Sequence, residues 1–192
     1  MVTAKPKGQY VVADYFSTPE GERWELIDGV LHHMAAAPSI KHQIASGNLT
    51  GLFRPHIVQR RLGLLLYAPC AVILPGESAV EPDLLFVSSE RRDIITPRAC
   101  EGPPDFIAEI LSPSNSAHYM AIKQELYARH AVPEYWIIDP IQETVLKLTE
   151  PFIRQGLGAY AAEATYGVTD SLSSDSVAGL TITVADVFAE PW

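Results

Sequence analysis

Several features that would assign a chain to a class at once are scarce or missing here. No window of the 192 residues approaches the roughly 18 consecutive apolar residues a membrane span needs; the greasiest run, residues 62–69, lies between Arg61 and the break at Pro69. The first ten residues carry Lys5 and Lys7 but lack the apolar stretch of a secretory signal, so the expectation is a soluble, cytoplasmic protein. Cysteine is scarce. Cys70 and Cys100 form no CxxC pair, suggest no disulfide framework, supply no zinc site by themselves, and read as buried thiols. The sequence contains no Walker A loop, no GxGxxG and no GxSxG, so nucleotide-driven and serine-hydrolase chemistry lack their phrases.

Positive charge is also short, with 14 Lys and Arg against 23 Asp and Glu, a formal net charge of -9. Most sequence-independent affinity for nucleic acid comes from neutralising phosphates and releasing their counterions, so this balance argues against a high-affinity DNA binder. It is compatible with a nuclease whose acidic site takes up cations first. The two basic clusters, Arg60-Arg61 with Arg54 and Arg91-Arg92, read as solvated surface.

What is present fits one globular domain over residues 1–192, since 47% of the chain is hydrophobic and no internal repeat divides it. "WELIDGVLHHM", residues 24–34, predicts two short strands around the turn pair Asp28-Gly29. A helix follows from an N-cap at Ser39, with Ile40, Ile44, Leu52, Phe53 and Ile57 as apolar positions and Gly47, Gly51 and Pro55 weakening or kinking it. "LGLLLYAPCAVIL", residues 62–74, reads as one strand or a pair. "PDLLFV" (82–87) and "FIAEIL" (106–111) are short apolar runs with the look of central strands buried on both faces. Residues 117–130 predict a helix. "PEYWIIDP" and "ETVLKLTE" give a strand pair turning at Asp139-Pro140, with Tyr135 and Trp136 in the core, and the C-terminal part adds strand and a short helix. The fold class expected is α/β or α+β with a mixed sheet.

Two carboxylates sit in or beside the greasy runs: Asp83 opens one and Glu109 lies in the middle of the other. Burying a carboxylate costs on the order of several kcal/mol unless it is paired or binds a metal. On neighbouring strands the two would repel each other, and a divalent cation between them relieves the repulsion. Oxygen ligands suit Mg²⁺ or Mn²⁺, and the Ile110 carbonyl could add one more. Lys123 lies on the helix after the Glu109 strand, where it could position an attacking water, and Tyr127 lies one turn on along the same face. Spacing alone leaves a bland alternative open: a strand-initiating Asp83, a structural Glu109–Lys123 pair, or a solvated lysine. His32 and His33, adjacent on a strand, would point to opposite faces and could not ligate one metal together.

The phrases "WELIDGVLHHM", "SIKHQ", "EPDLLFV", "PDFIAEILSPS", "KQELYARHAVPEYWIIDP" and "LTITVADVF", in that order, resemble the Uma-type restriction endonuclease family of the PD-(D/E)xK nuclease-like superfamily, over residues 10–188. The resemblance implies a restriction-endonuclease-like core, a central mixed β-sheet flanked by helices, usually assembled as a homodimer. It implies a metal-dependent endonuclease acting on DNA with Mg²⁺ or Mn²⁺, or alternatively a nuclease-like fold used as a binding or assembly module. Asp83 matches the Asp of the family's "PD" phrase and Glu109 the acidic residue of its second strand. The usual ExK lysine would fall at Leu111, so Lys123 stands as the family-type lysine moved onto the following helix. Glu25 matches an acidic residue directed toward the same cleft and is expected to act in catalysis as an auxiliary metal ligand, His42 with Gln43 matches a helix-borne polar pair, and these two with Tyr127 are the expected substrate contacts. One departure removes charge: Tyr119 stands where many members have Asp, and residues 115–118 lack the common basic side chains.

Overall fold

Asp28 and Gly29 both take positive φ, 47° and 72°, as a two-residue hairpin turn requires. They join β1 (Trp24–Ile27) to β2 (Val30–His33), antiparallel and in the register Glu25 opposite His32. The computed structural model describes residues 8–34, 38–112, 117–190 and 192. Before the hairpin comes a single-turn helix, α1 (Val12–Tyr15), and after it α2 (Ile40–Arg60), capped by Ser39, whose hydroxyl accepts the His42 N–H at 3.2 Å. The chain continues through β3 (Gly63–Tyr67), β4 (Val72–Leu74), β5 (Ser78–Val80), β6 (Leu84–Ser88), β7 (Cys100–Glu101) and β8 (Phe106–Ile110). Then follow α3 (Ala117–Arg129), β9 (Glu134–Asp139), β10 (Thr144–Arg154), β11 (Leu157–Gly167), β12 (Ser171–Ser173), β13 (Thr181–Thr183) and α4 (Val184–Phe188). The turn expected at residues 112–114 lies partly outside the described residues.

The strands form a six-stranded sheet in the order β11-β10-β9-β8-β6-β3, a five-stranded sheet in the order β2-β1-β5-β4-β7, and the pair β12-β13. The larger sheet is mixed: β8 and β9 run parallel, joined by the crossover helix α3, and its other pairs are antiparallel. Residues 62–74 are indeed two strands, but each joins a different sheet. The smaller sheet itself was not anticipated, because β5 and β7 are too short to show a period.

Alternation along the central strands sorts the side chains. Leu84, Phe86, Phe106, Ala108 and Ile110 pack with Ala45, Leu49, Phe53 and Ile57 of α2. Leu85, Val87 and Ile107 face the other way, onto Leu126 and Tyr127 of α3 and onto Ile27, Val72 and Val80 of the smaller sheet. The buried stripe of α2 therefore runs at every fourth residue from 45 to 57. Ile40, expected in the apolar face, is 74% exposed. The helix passes through Gly47, Gly51 and Pro55 without ending, because burial of that stripe outweighs their propensity cost of about 1–3 kcal/mol each. Cys100 is fully buried as expected, Cys70 only in part, and Tyr135 and Trp136 are fully buried in the core.

Two details place α3. A Cβ at Gly158 would lie 2.2 Å from the Arg129 backbone nitrogen, so only glycine lets the last turn of α3 rest directly on β11. The Gly158 N–H also donates to Glu125 of that helix at 3.0 Å.

Candidate active site

The chain crosses from the smaller sheet to the larger one within Glu81-Pro82-Asp83, between the end of β5 and the start of β6. Asp83 immediately precedes Leu84, which pairs with Ala108, so the register sets Asp83 opposite Glu109 at the ends of adjacent strands. Alternation gives Glu109 the Ile107 face, toward α3. Glu25 comes from β1 in the other sheet, and Lys123 reaches across from α3. The cluster thus forms where the two sheets and α3 meet.

Lys123 Nζ donates to Glu25 Oε1 at 2.9 Å and is ion-paired with Glu109 Oε1. It is 2% exposed, which removes the reading of a solvated surface lysine. Tyr127 donates its hydroxyl to Glu109 Oε1 at 2.7 Å and is fully buried behind that carboxylate, away from the cleft wall. Glu25 accepts from Lys123, from the Glu81 N–H at 2.7 Å, and from the Tyr119 hydroxyl. Asp83 Oδ2 accepts the Ile110 N–H at 2.7 Å and lies 3.2 Å from His42 Nε2. Among the described residues, the donors to Glu109 and to Asp83 fall on one oxygen of each.

The protonation states follow from burial and crowding. Burial pushes Glu109 up, Lys123 pulls it down, and Asp83 and Glu25 push it up again, with the result near 7. Glu25 is held below the usual carboxylate range: burial alone would raise it, but Lys123, Tyr119 and the Glu81 N–H together outweigh that. Lys123 is raised despite its burial, because Glu109 and Glu25 stabilise the ammonium.

An open cleft of about 920 Å³ lies over this cluster. Asp83, Glu109, Ile110 and Lys123 form its floor, and His42 and Gln43 from α2, His32 and His33 from β2 and Arg23 just before β1 also line it. Every predicted site residue except Tyr127 and Glu25 lines the cleft, and both of those touch residues that do. The hairpin histidines contact different rings: His32 lies 5.3 Å from Tyr119 and His33 4.7 Å from Trp24. Sequence reasoning missed Arg23 and Glu81. Arg23 holds Glu81 at 3.1 Å, and no apolar period marks either residue.

Among the described residues no group of three His, Cys, Asp or Glu side chains is placed to hold a metal ion. The pair Asp83 and Glu109 nevertheless suits a hard divalent cation. Each has one oxygen without a described donor, and their mutual repulsion helps lift Glu109 toward neutral pH.

A mixed sheet with helices on its two faces thus carries two carboxylates at adjacent strand ends and a lysine on the following helix. The chain belongs to the family described as "Uma2: Putative restriction endonuclease", whose model matches residues 12–185. It is similar in fold to the crystal structure of a protein described as a putative nuclease of DUF820 from Anabaena variabilis ATCC 29413. The TM-score is 0.74 at 17% identity, covering 93% of this chain and 97% of the other. None of the curated proteins matches the chain significantly. The clusters Arg54 with Arg60-Arg61 and Arg91-Arg92 lie outside the cleft, and Arg91 is tied to Asp105 at 2.9 Å.

Proposed function

We propose that the protein is a metal-dependent endonuclease that hydrolyses DNA phosphodiester bonds. The observation that carries this is the meeting of Asp83 and Glu109 at adjacent strand ends on the floor of an open cleft, with the Lys123 ammonium on Glu109. Asp83 and Glu109 would hold Mg²⁺ or Mn²⁺, with the Ile110 carbonyl as a further ligand. Such a cation supplies Lewis-acid polarisation and charge neutralisation at the phosphate. Lys123, raised and therefore a cation at neutral pH, does not take a proton from water. It positions the attacking water and steadies the negative charge that develops on the phosphoryl oxygens. Glu25 and Tyr127 are positioning residues: Glu25 holds the ammonium, and Tyr127 fixes the Glu109 carboxylate. His42 orients Asp83 and, with Gln43, faces substrate. One domain over residues 1–192, a cytoplasmic location and a homodimer belong to the same reading; light scattering of the purified chain checks the last.

Purified protein should cleave circular DNA, offered as supercoiled plasmid and as a single-stranded circle, in Mg²⁺ or Mn²⁺. Cleavage that persists in both Asp83→Ala and Lys123→Ala sinks the assignment.

A second reading, a nuclease-like fold serving as a binding or assembly module, draws on two specific observations. The Tyr119 hydroxyl closes on Glu25 where many family members carry charge, and Lys123 is fully engaged by two carboxylates. Calorimetric titration with Mn²⁺ separates the two. A bare module shows no heat of binding that depends on Asp83 and Glu109.

A further inference from the structure

The charge of the cleft poses a problem for any polyanionic substrate. Among the described residues, Glu81, Asp83 and Glu109 line it against the permanent cations Arg23 and Lys123, and both cations are already spoken for, Arg23 by Glu81 and Lys123 by Glu25 and Glu109. An intact duplex is held mainly through about 6–10 phosphate contacts by lysines and arginines, which the described residues of this cleft do not offer. Affinity must then come from the bases, and in a duplex the base faces are stacked away.

One cleft residue suits a base face. Tyr67 ends β3, opposite Leu84 and therefore one strand across from Asp83, and the next N–H, of Ala68, donates to the Asp83 carbonyl at 3.1 Å. Tyr67 is 56% exposed and lines the cleft. Tyr119, the other tyrosine of the cleft, has its hydroxyl committed to Glu25. Tyr67 thus presents an aromatic ring to the cleft from a backbone that the sheet holds next to Asp83, and Pro69 lines the same cleft. Stacking on such a plane accepts any base, because every base presents a π-face, and it requires that the base be unpaired.

We infer that the cleft takes a nucleic-acid strand at an unpaired nucleotide, with Tyr67 stacking the base next to the phosphate held over Asp83 and Glu109. This rests on the nuclease reading for the phosphate but not for the stack, so binding tests it apart from cleavage.

Fluorescence anisotropy of the full chain in Ca²⁺, which keeps cleavage out of the measurement, provides the test. The probes are a labelled single strand of about a dozen nucleotides, long enough for one binding groove, its abasic counterpart, and a blunt duplex of the same sequence. The intact strand should bind about tenfold or more tighter than the duplex or the abasic strand. Tyr67→Ala should lose about tenfold for the intact strand and little for the abasic one, the scale of one base–aromatic stack. Tyr67→Phe should restore binding. Equal binding of strand and duplex, or a Tyr67→Ala protein that binds the intact strand like wild type, overturns the inference. Neither result touches the nuclease reading, which stands or falls on cleavage of circular DNA and its loss in Asp83→Ala.

Discussion

The larger sheet buries two glutamates beside lysines, and they differ in every respect that bears on function. Glu134, the first residue of β9, is fully buried and accepts from Trp136 Nε1 at 2.8 Å, Ser174 Oγ at 2.8 Å, and the N–H groups of Asp175 and Ser176 at 3.0 and 2.8 Å. Lys147 stands 3.5 Å away and is shared with Asp175 at 2.9 Å. Donors to Glu134 cover both of its oxygens and clamp the loop between β12 and β13 onto the sheet. Glu109, by contrast, takes Lys123 and Tyr127 on one oxygen and shares its surroundings with two more carboxylates, Asp83 and Glu25. The parallel register sets Glu134 opposite Phe106 and Glu109 opposite Ile137, so the two lie toward opposite ends of the sheet. Burial of a charge is therefore no mark of a site. The proposed site rests instead on carboxylates crowded together on the floor of a cleft, Asp83 and Glu109 each with one oxygen that takes no donor among the described residues.

The largest expected effect separates the regions by activity. Lys123→Ala or Asp83→Ala should lower the cleavage rate by about 10²–10³-fold, as loss of one preorganised charge-stabilising group does, whereas Glu134→Gln should cleave like wild type in the same plasmid assay. Equal losses in all three would erase the distinction.

Stability should reverse the ranking. Glu134→Ala leaves the Trp136 indole, the Ser174 hydroxyl and the N–H groups of Asp175 and Ser176 without their acceptor and should cost about 3–5 kcal/mol in urea unfolding. Glu109→Gln removes one of three crowded carboxylates and should cost far less.

The metal-free protein should respond to pH through Glu109 as well. Its folded value near 7 lies above the ordinary 4.5, so between these the native state holds a proton that the unfolded chain has lost. The contribution of this group to stability is greatest below pH 4.5 and falls as pH rises through 7, by on the order of 3 kcal/mol. Thermal melts of Glu109→Gln should lack that decline, while those of Glu134→Gln should keep it.

The smallest effect concerns aim. Gly158→Ala must push the end of α3 off β11, at about 1–3 kcal/mol. It should lower cleavage by displacing Lys123 and leave the Glu134 clamp intact, read as a lower Tm together with a lower kcat.

Much of this was legible in the sequence because local rules govern it. The Asp28-Gly29 turn, the Ser39 cap, the buried runs "LLFV" and "FIAEI", and α3 all follow from turn chemistry, capping and period. Asp83, Glu109 and Lys123 could be singled out because charges interrupt or adjoin apolar runs. Ile40 misled, since it lies off the stripe of α2 that Ala45, Leu49, Phe53 and Ile57 bury, while His42 in the same turn is buried. Glu134 gave no warning of its clamp, whose donors lie about forty residues away in a loop.

The sequence by itself determined the order of the longer elements, the family, and which carboxylates needed a partner, since each depends on residue types at short spacing. Only the tertiary structure decided who those partners are. Glu25 lies in another sheet, 98 residues from Lys123, and Tyr119 and Glu81 reach Glu25 across the same junction. Short-range pattern records that a charge is buried, whereas the way two sheets and a helix converge decides what is buried with it.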